Sequence, residues 1–436
     1  MFSFTRPSVA AAGRKARAAT LALFLGTAAL PSLAADALSL DEALRLAQER
    51  SRQLPAQQAA ATASRQMAVA AGQRPDPVLK AGVNNLPVNG PDRLSLTRDF
   101  MTMRSVGVMQ EFTRHSKLEA RVARFEREAE VADATRQLAL ADLQRDTAVA
   151  WLDRHYQERM REVLVAQRNE ARLLVEATDA AYRGGRGSPS EAFAARSAAA
   201  LIEDRIAQTE RQIATAKTRL ARWVGPPANE ALGAPPAMQT VRFRPDDLEA
   251  QLAHHPELAV LQKREEMAQA EAEVARANKK SDVSVELMVN QRGPAYANMV
   301  SINVAVPLQW APKDRQDREL AARLATADQA RAEREEATRT HVAEALAMWQ
   351  EWQSNRERLA RYDSTLIPLA SERTRAAMAA YRGAGSPLAV VLDARRSEID
   401  TRMERLRLAM DTARLWAQLT YLIPAGHDAA PSTVAH

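Results

Sequence analysis

Met101, Met103 and Met109 stand at odd positions in the stretch DFMTMRSVGVMQEF at 99–112, so an extended strand would carry all three on one side. Thioethers are soft donors suited to Cu(I) or Ag(I). Methionines also pack irregular apolar surfaces, and the sequence leaves both uses open. His254 and His255 are adjacent and precede Pro256. They lack the H-E-x-x-H spacing that sets two imidazoles and a base on one helix face, so no metal site is expected there. Gly184-Gly185-Arg186-Gly187 has the composition of a phosphate loop, but no strand precedes it and no Lys-Ser or Lys-Thr pair follows. It reads as a turn. No acid, base and nucleophile set is visible elsewhere, so no enzyme is expected and no cofactor is implied.

The element that must contain that turn occurs twice: AAYRGGRGSP at 180–189 and AAYRGAGSPL at 379–388. Such self-similarity points to a duplicated chain. Neither Gly nor Pro occurs between Gly107 and Gly184, and the residues between them are mostly good helix formers. A helix from about Arg114 to Tyr182 would be a rod of roughly 100 Å, which needs a partner along its length to be stable in water. Residues 190–224 supply one, with Ser188 and Ser190 as candidate N-caps, Pro189 suited to the first turn, and Gly225 as the stop. The second half repeats the hairpin over 313–381 and 388–423. There Pro368 should kink or divide the long helix, because it has no N–H and its ring meets the preceding turn.

Each half opens with a shorter helix, Leu40 to about Ala71 and Pro245 to about Asn278, followed by two candidate strands. Val283, Val285, Leu287 and Val289 alternate with Ser284, Glu286, Met288 and Asn290. Val300, Ile302, Val304 and Val306 alternate with Ser301, Asn303 and Ala305. Weaker alternation marks Val78 to Asn84 and Arg104 to Phe112. The expected fold is mainly α with a small β part, in two structural repeats over 36–225 and 245–423, joined by a linker at 226–244 and followed by a tail at 424–436.

Residues 1–35 read as an export signal: Arg14, Lys15 and Arg17 precede the apolar run Ala18 to Leu30, and small residues at Ser32 and Ala34 suit cleavage. Removing the four basic residues of this leader takes the formal charge from +6 to +2, so nothing points to a nucleic-acid partner. The chain has no cysteine, which excludes a disulfide framework and acylation on cysteine. Beyond the leader no uncharged apolar run approaches the roughly 20 residues of a spanning helix, so a membrane crossing would have to be a closed β-barrel. Four strands are too few to close one, and several chains would have to contribute.

The order of elements, with LDEALRLAQERS at 40–51, DLEAQLAHHPEL at 247–258, the Tyr-Arg-Gly turns at 182–184 and 381–383 and LDA at 392–394, resembles the TolC family of outer-membrane efflux ducts over about 36–423. The resemblance implies a homotrimer in outer-membrane lipid of a Gram-negative bacterium, with a twelve-stranded barrel of four strands per chain continued by a long α-helical periplasmic barrel. It also implies two partners, a periplasmic adaptor (membrane fusion) protein and an inner-membrane proton-driven transporter. It looks most similar to the heavy-metal branch, which implies heavy-metal cations as substrate. By the same resemblance Asp393 falls at a periplasmic channel constriction, with Tyr381 and Glu191 near it. A solvated helix carboxylate paired with Arg395 or Arg396 is the alternative. The hairpin tips implied to meet the adaptor are Tyr182, Arg183, Gly184, Gly185 and Ser188 in the first half and Arg382, Gly383, Gly385 and Ser386 in the second. The tyrosines could equally pack the turns, and the glycines supply the φ > 0 conformations of tight connections. A soluble periplasmic coiled-coil adaptor or structural rod is the competing reading.

Overall fold

The computed structural model describes residues 37–241, 255–383 and 385–422. The expected export signal, the end of the linker, the start of the second opening helix and the C-terminal tail lie outside the described residues. Ser39 begins α1 (Leu40–Arg50), its hydroxyl accepting from the Glu42 N–H at 3.1 Å, with Asp41 and Glu42 against the positive end of the helix. The single opening helix expected here is in fact two, because α2 (Gln53–Ala71) starts afresh after Ser51. Pro55 explains the break: in a continuous helix its missing N–H would orphan the Ser51 carbonyl and its ring would strike it. In the first turn of a new helix neither penalty arises.

Four strands follow the predicted pattern to within a residue: β1 (Val78–Asn84), β2 (Met103–Phe112), β3 (Val283–Gln291) and β4 (Met299–Ala305). They form one antiparallel sheet in the order β1-β2-β3-β4, so the two halves meet where β2 pairs with β3. Gly107 sits opposite Met288, and a Cβ there would lie 2.5 Å from the Met288 Cγ, so this close approach of strands admits only glycine.

From the sheet the chain enters α3 (His115–Arg183), which runs unbroken for 69 residues, then turns into α4 (Pro189–Val224). In the second half α5 (Pro256–Asn278) leads into the sheet, and α6 (Gln316–Arg361), α7 (Ile367–Arg382) and α8 (Leu388–Thr420) lead away from it. Between α6 and α7 lies a single π turn, Tyr362–Leu366, where the Ile367 N–H donates to the Tyr362 carbonyl five residues back. The local defect expected at Pro368 is therefore a widened turn two residues upstream of the proline, which relieves its clash without ending the helical path.

The largest core gathers Trp151 of α3, Trp352 of α6 and Trp416 of α8 with Leu44, Leu220, Val224 and Leu258. The linker is tied into it. Leu38 and Leu232 form a parallel bridge, the indole N–H of Trp151 donates to the Leu38 carbonyl, and that of Trp416 donates to the Thr240 carbonyl, each at 3.0 Å. Arg154, only 2% exposed, donates to the carbonyls of Ala228 at 2.7 Å and Glu230 at 2.5 Å and pairs with Glu158 at 2.8 Å. A charged fork placed there satisfies carbonyls left open at the end of the short 3₁₀ turn Pro226–Asn229 and just beyond it.

Candidate functional site

The sheet is two-faced in an uncommon sense. Directly paired residues share a side, so the register sets Leu79, Val108, Leu287 and Ile302 in one row and Ala81, Val106, Val289 and Val300 in the next. This apolar side is the open one: Leu79 is 73% and Ile302 70% exposed. The other side carries polar pairs, in which the Asn84 amide donates to Ser105 at 3.0 Å, the Asn290 amide donates to Ser301 at 2.9 Å, and Lys80 meets Glu286 at 3.3 Å. Just past β4, Trp310 is 87% exposed. Among the described residues no helix is long and apolar enough to cross a membrane.

Met103 and Met109 lie on the polar side of β2, six residues and roughly 20 Å apart. Met101 falls in the loop before the strand, and its backbone N–H is held by Asp99 at 2.8 Å. Thioether ligation requires sulfurs around one ion, so within one chain these three do not form the soft-metal site left open by their spacing.

The two helical turns lie at the end of the helices farthest from the sheet, where Leu174, Ala195, Ala377, Leu388 and Val391 pack the two hairpins together. They leave their first helices alike: Gly184 and Gly383, with φ near −80°, each donate to the carbonyl four residues back at 3.0 Å, and Arg186 and Gly385 donate to Ala181 and Ala380 at 2.9 Å. Gly185 takes a left-handed backbone, with φ 72°. The turns part at the start of the returning helix. Ser188 caps α4 in a reciprocal box with Glu191, each contact 3.3 Å, whereas α8 begins after Pro387 and Ser386 makes no such cap. Tyr182, Arg183, Gly184 and Gly185 are exposed, as are Arg382, Gly383 and Gly385. Tyr381 is half-buried against the apolar cluster, and burial, with Glu191 nearby, raises its hydroxyl pKa. The structure thus brings Tyr381 and Glu191 together, and leaves Tyr182 in solvent.

Asp393 is exposed on α8 and pairs with Arg373 of α7 at 2.6 Å. The partners weighed from the sequence are engaged elsewhere: Arg395 with Glu170 of α3, and Arg396 with Asp400 at 3.9 Å. The cation paired with Asp393 lies across the hairpin and not along its own helix. Asp393 borders a groove of about 1180 Å³ with Arg205, Arg373, Arg396, Asp400 and Glu404, where both signs of charge alternate.

A further cluster includes His255, where the local spacing predicts no metal site, because its second histidine lies on another element. His255, the N-cap of α5, is brought against His341 of α6 with ring centroids 4.7 Å apart, and the His341 Nε2 is 3.2 Å from the Glu257 carboxylate. Burial, and then the neighbouring His341, push His255 down to about 4. Distance from the sheet could have found the pair. His255 precedes a 23-residue helix and His341 lies 25 residues into α6, both about 35–38 Å along their helices.

No protein-family model and no curated protein matches the chain. Solved structures do. The outer membrane protein VceC of Vibrio cholerae superposes with a TM-score of 0.73 at 19% identity, covering 88% of this chain and 95% of that one. The CmeC outer membrane channel of Campylobacter jejuni gives 0.74 at 10% identity, over 88% and 85%. The open MtrE outer membrane channel of Neisseria gonorrhoeae gives 0.66 at 19%, over 89% of each. At such identities the likeness is one of fold alone: over nearly its whole described length, this chain is built as the outer-membrane channels are.

Proposed function

We propose that this chain is the exit duct of a tripartite efflux pump in the outer membrane of a Gram-negative bacterium, a homotrimer that conducts passively. Three sheets join β1 of one copy to β4 of the next, which leaves a twelve-stranded barrel with no free edge. The helices continue the lumen through the periplasm. Their tips dock a periplasmic adaptor, which links the duct to a proton-driven transporter of the inner membrane.

The observation that carries this reading is the sheet, with exposed apolar residues along one side of all four strands and hydrogen-bonded polar residues on the other. In water each large apolar side chain left exposed forgoes about 1.5–3 kcal/mol. In lipid that cost disappears, and the polar side faces a water-filled lumen. Trp310 at the end of the sheet suits the membrane interface.

Heavy-metal cations are the substrate class we propose, with Asp393 repeated around the lumen as the residue that favours them. Its pairing with Arg373 means that the ring is neutralised unless that arginine swings away.

The deciding experiment is the mass and single-channel conductance of the protein purified from outer membranes. Trimers that conduct in a planar bilayer support the duct. A folded monomer in detergent-free buffer with no conductance would instead support the soluble adaptor or rod.

A further inference from the structure

The structure assigns a divalent metal site to His255, Glu257 and His341, of the class that takes zinc, cobalt or nickel. Each residue offers one donor atom, and these atoms lie within 4.8 Å of one another. A first-row ion holds such donors at about 2.0–2.2 Å, so the widest separation must close to about 4.2 Å or less. Glu257 is exposed and free to make that adjustment.

Two further observations point to a ligand. His255 is 9% exposed, and its Nδ1 is buried without any hydrogen-bond partner, a ring nitrogen that a metal would satisfy. On the far side of His341, the Glu344 carboxylate lies 3.7 Å from Nδ1, one small side-chain adjustment short of the hydrogen bond by which a carboxylate orients a ligating histidine.

Two imidazoles and one carboxylate are borderline donors that favour zinc-like ions over calcium or magnesium, which seek oxygen alone. The nearby cation does not oppose this. Arg145 of α3 is neutralised by Asp142 at 2.8 Å and Asp146 at 2.9 Å. Pro256 restricts the backbone of His255 to its extended conformation, φ −65° and ψ 126°, so the first ligand is fixed before the ion arrives. The bound ion would clamp the start of α5 to the middle of α6, far from the sheet. This site does not rest on the duct reading: the chain could fail to conduct and still bind the ion.

The test is titration of the full chain, purified without a polyhistidine tag, with Co²⁺ followed by its visible absorption and with Zn²⁺ by calorimetry. One ion per chain is expected, with affinity falling roughly tenfold or more in His341→Gln and Glu257→Gln. Zinc should raise the melting temperature of the parent protein and leave that of His341→Gln unmoved. His255→Ala removes a buried group and can perturb folding, so the half-exposed His341 is the deciding position, with circular dichroism as the control. Absence of saturable binding in the parent protein, or binding that His341→Gln and Glu257→Gln leave unchanged, overturns the assignment.

Discussion

At the scale of single residues, buried charges have the largest consequences. Arg154 holds two linker carbonyls, and Arg154→Met would keep the volume while leaving both without a donor. A loss of about 2–4 kcal/mol is expected, read as a lower urea midpoint. Glu398 is a second case. Burial opposes its ionisation, but hydrogen bonds from Ser371 and Thr374 and the Arg402 guanidinium outweigh it and hold its carboxyl below the usual range. The folded pKa is therefore the lower one, so this stabilisation is complete above the unfolded value and is lost as pH falls through the folded one. Between about pH 5 and pH 3 the melting temperature of Glu398→Gln should fall less steeply than that of the parent. Asp393 makes a third prediction: if it faces the lumen, Arg373→Ala raises the cation-to-anion permeability ratio of the channel, and Asp393→Asn lowers it. Residue-level roles were the least legible in the sequence. Asp393 could be placed on a helix, but its partner lies on another element, and His341 is separated from His255 by a whole helix, two strands and half of a second helix.

Elements were far more legible, for reasons that differ between them. Long stretches without Gly or Pro leave the backbone no exit from a helix, which is why α3, α4 and α8 matched expectation to within a few residues. The strands of the second half announced themselves because one side of each is almost wholly β-branched or apolar. The break between α1 and α2 is hard to read because Pro55 is the only punctuation in an otherwise helix-forming stretch, 40–71. At Pro368 the sequence indicated a defect but could not say which kind, since a kink, a stop and a π turn all relieve the same clash. The π turn is pinned from outside: Arg405 of α8 grips Asp363 with two contacts of 3.0 Å. Amide exchange should be faster at 362–368 than in the matching part of α3, and Arg405→Ala should accelerate it further. Hydrogen-exchange mass spectrometry reads both. On the sheet, Ile302→Lys should cost about 2–4 kcal/mol in a lipid-facing position and block insertion of the assembled channel, whereas Asn303→Lys on the opposite side should leave insertion intact.

For the whole molecule, the duplication was legible in the two AAYRG turns, and the sheet shows where the halves join, at β2 and β3. The proposed closure by several copies is not legible in one chain, because the strand edges it would join, β1 and β4, belong to different copies. The chain has no cysteine, so single pairs placed in β1 and β4 should cross-link between copies and yield covalent dimers and trimers on a denaturing gel. Failure of every such pair would count against closure by strand exchange. The duplication also drifted mechanically. One half carries an unbroken strut of hydrogen-bonded backbone, while its twin has a compliant joint at the π turn, braced by a single guanidinium. A torque applied at the distal tips would therefore be absorbed at one level and in one hairpin of each copy, so the two arms of the same chain divide the work of bearing load and yielding to it.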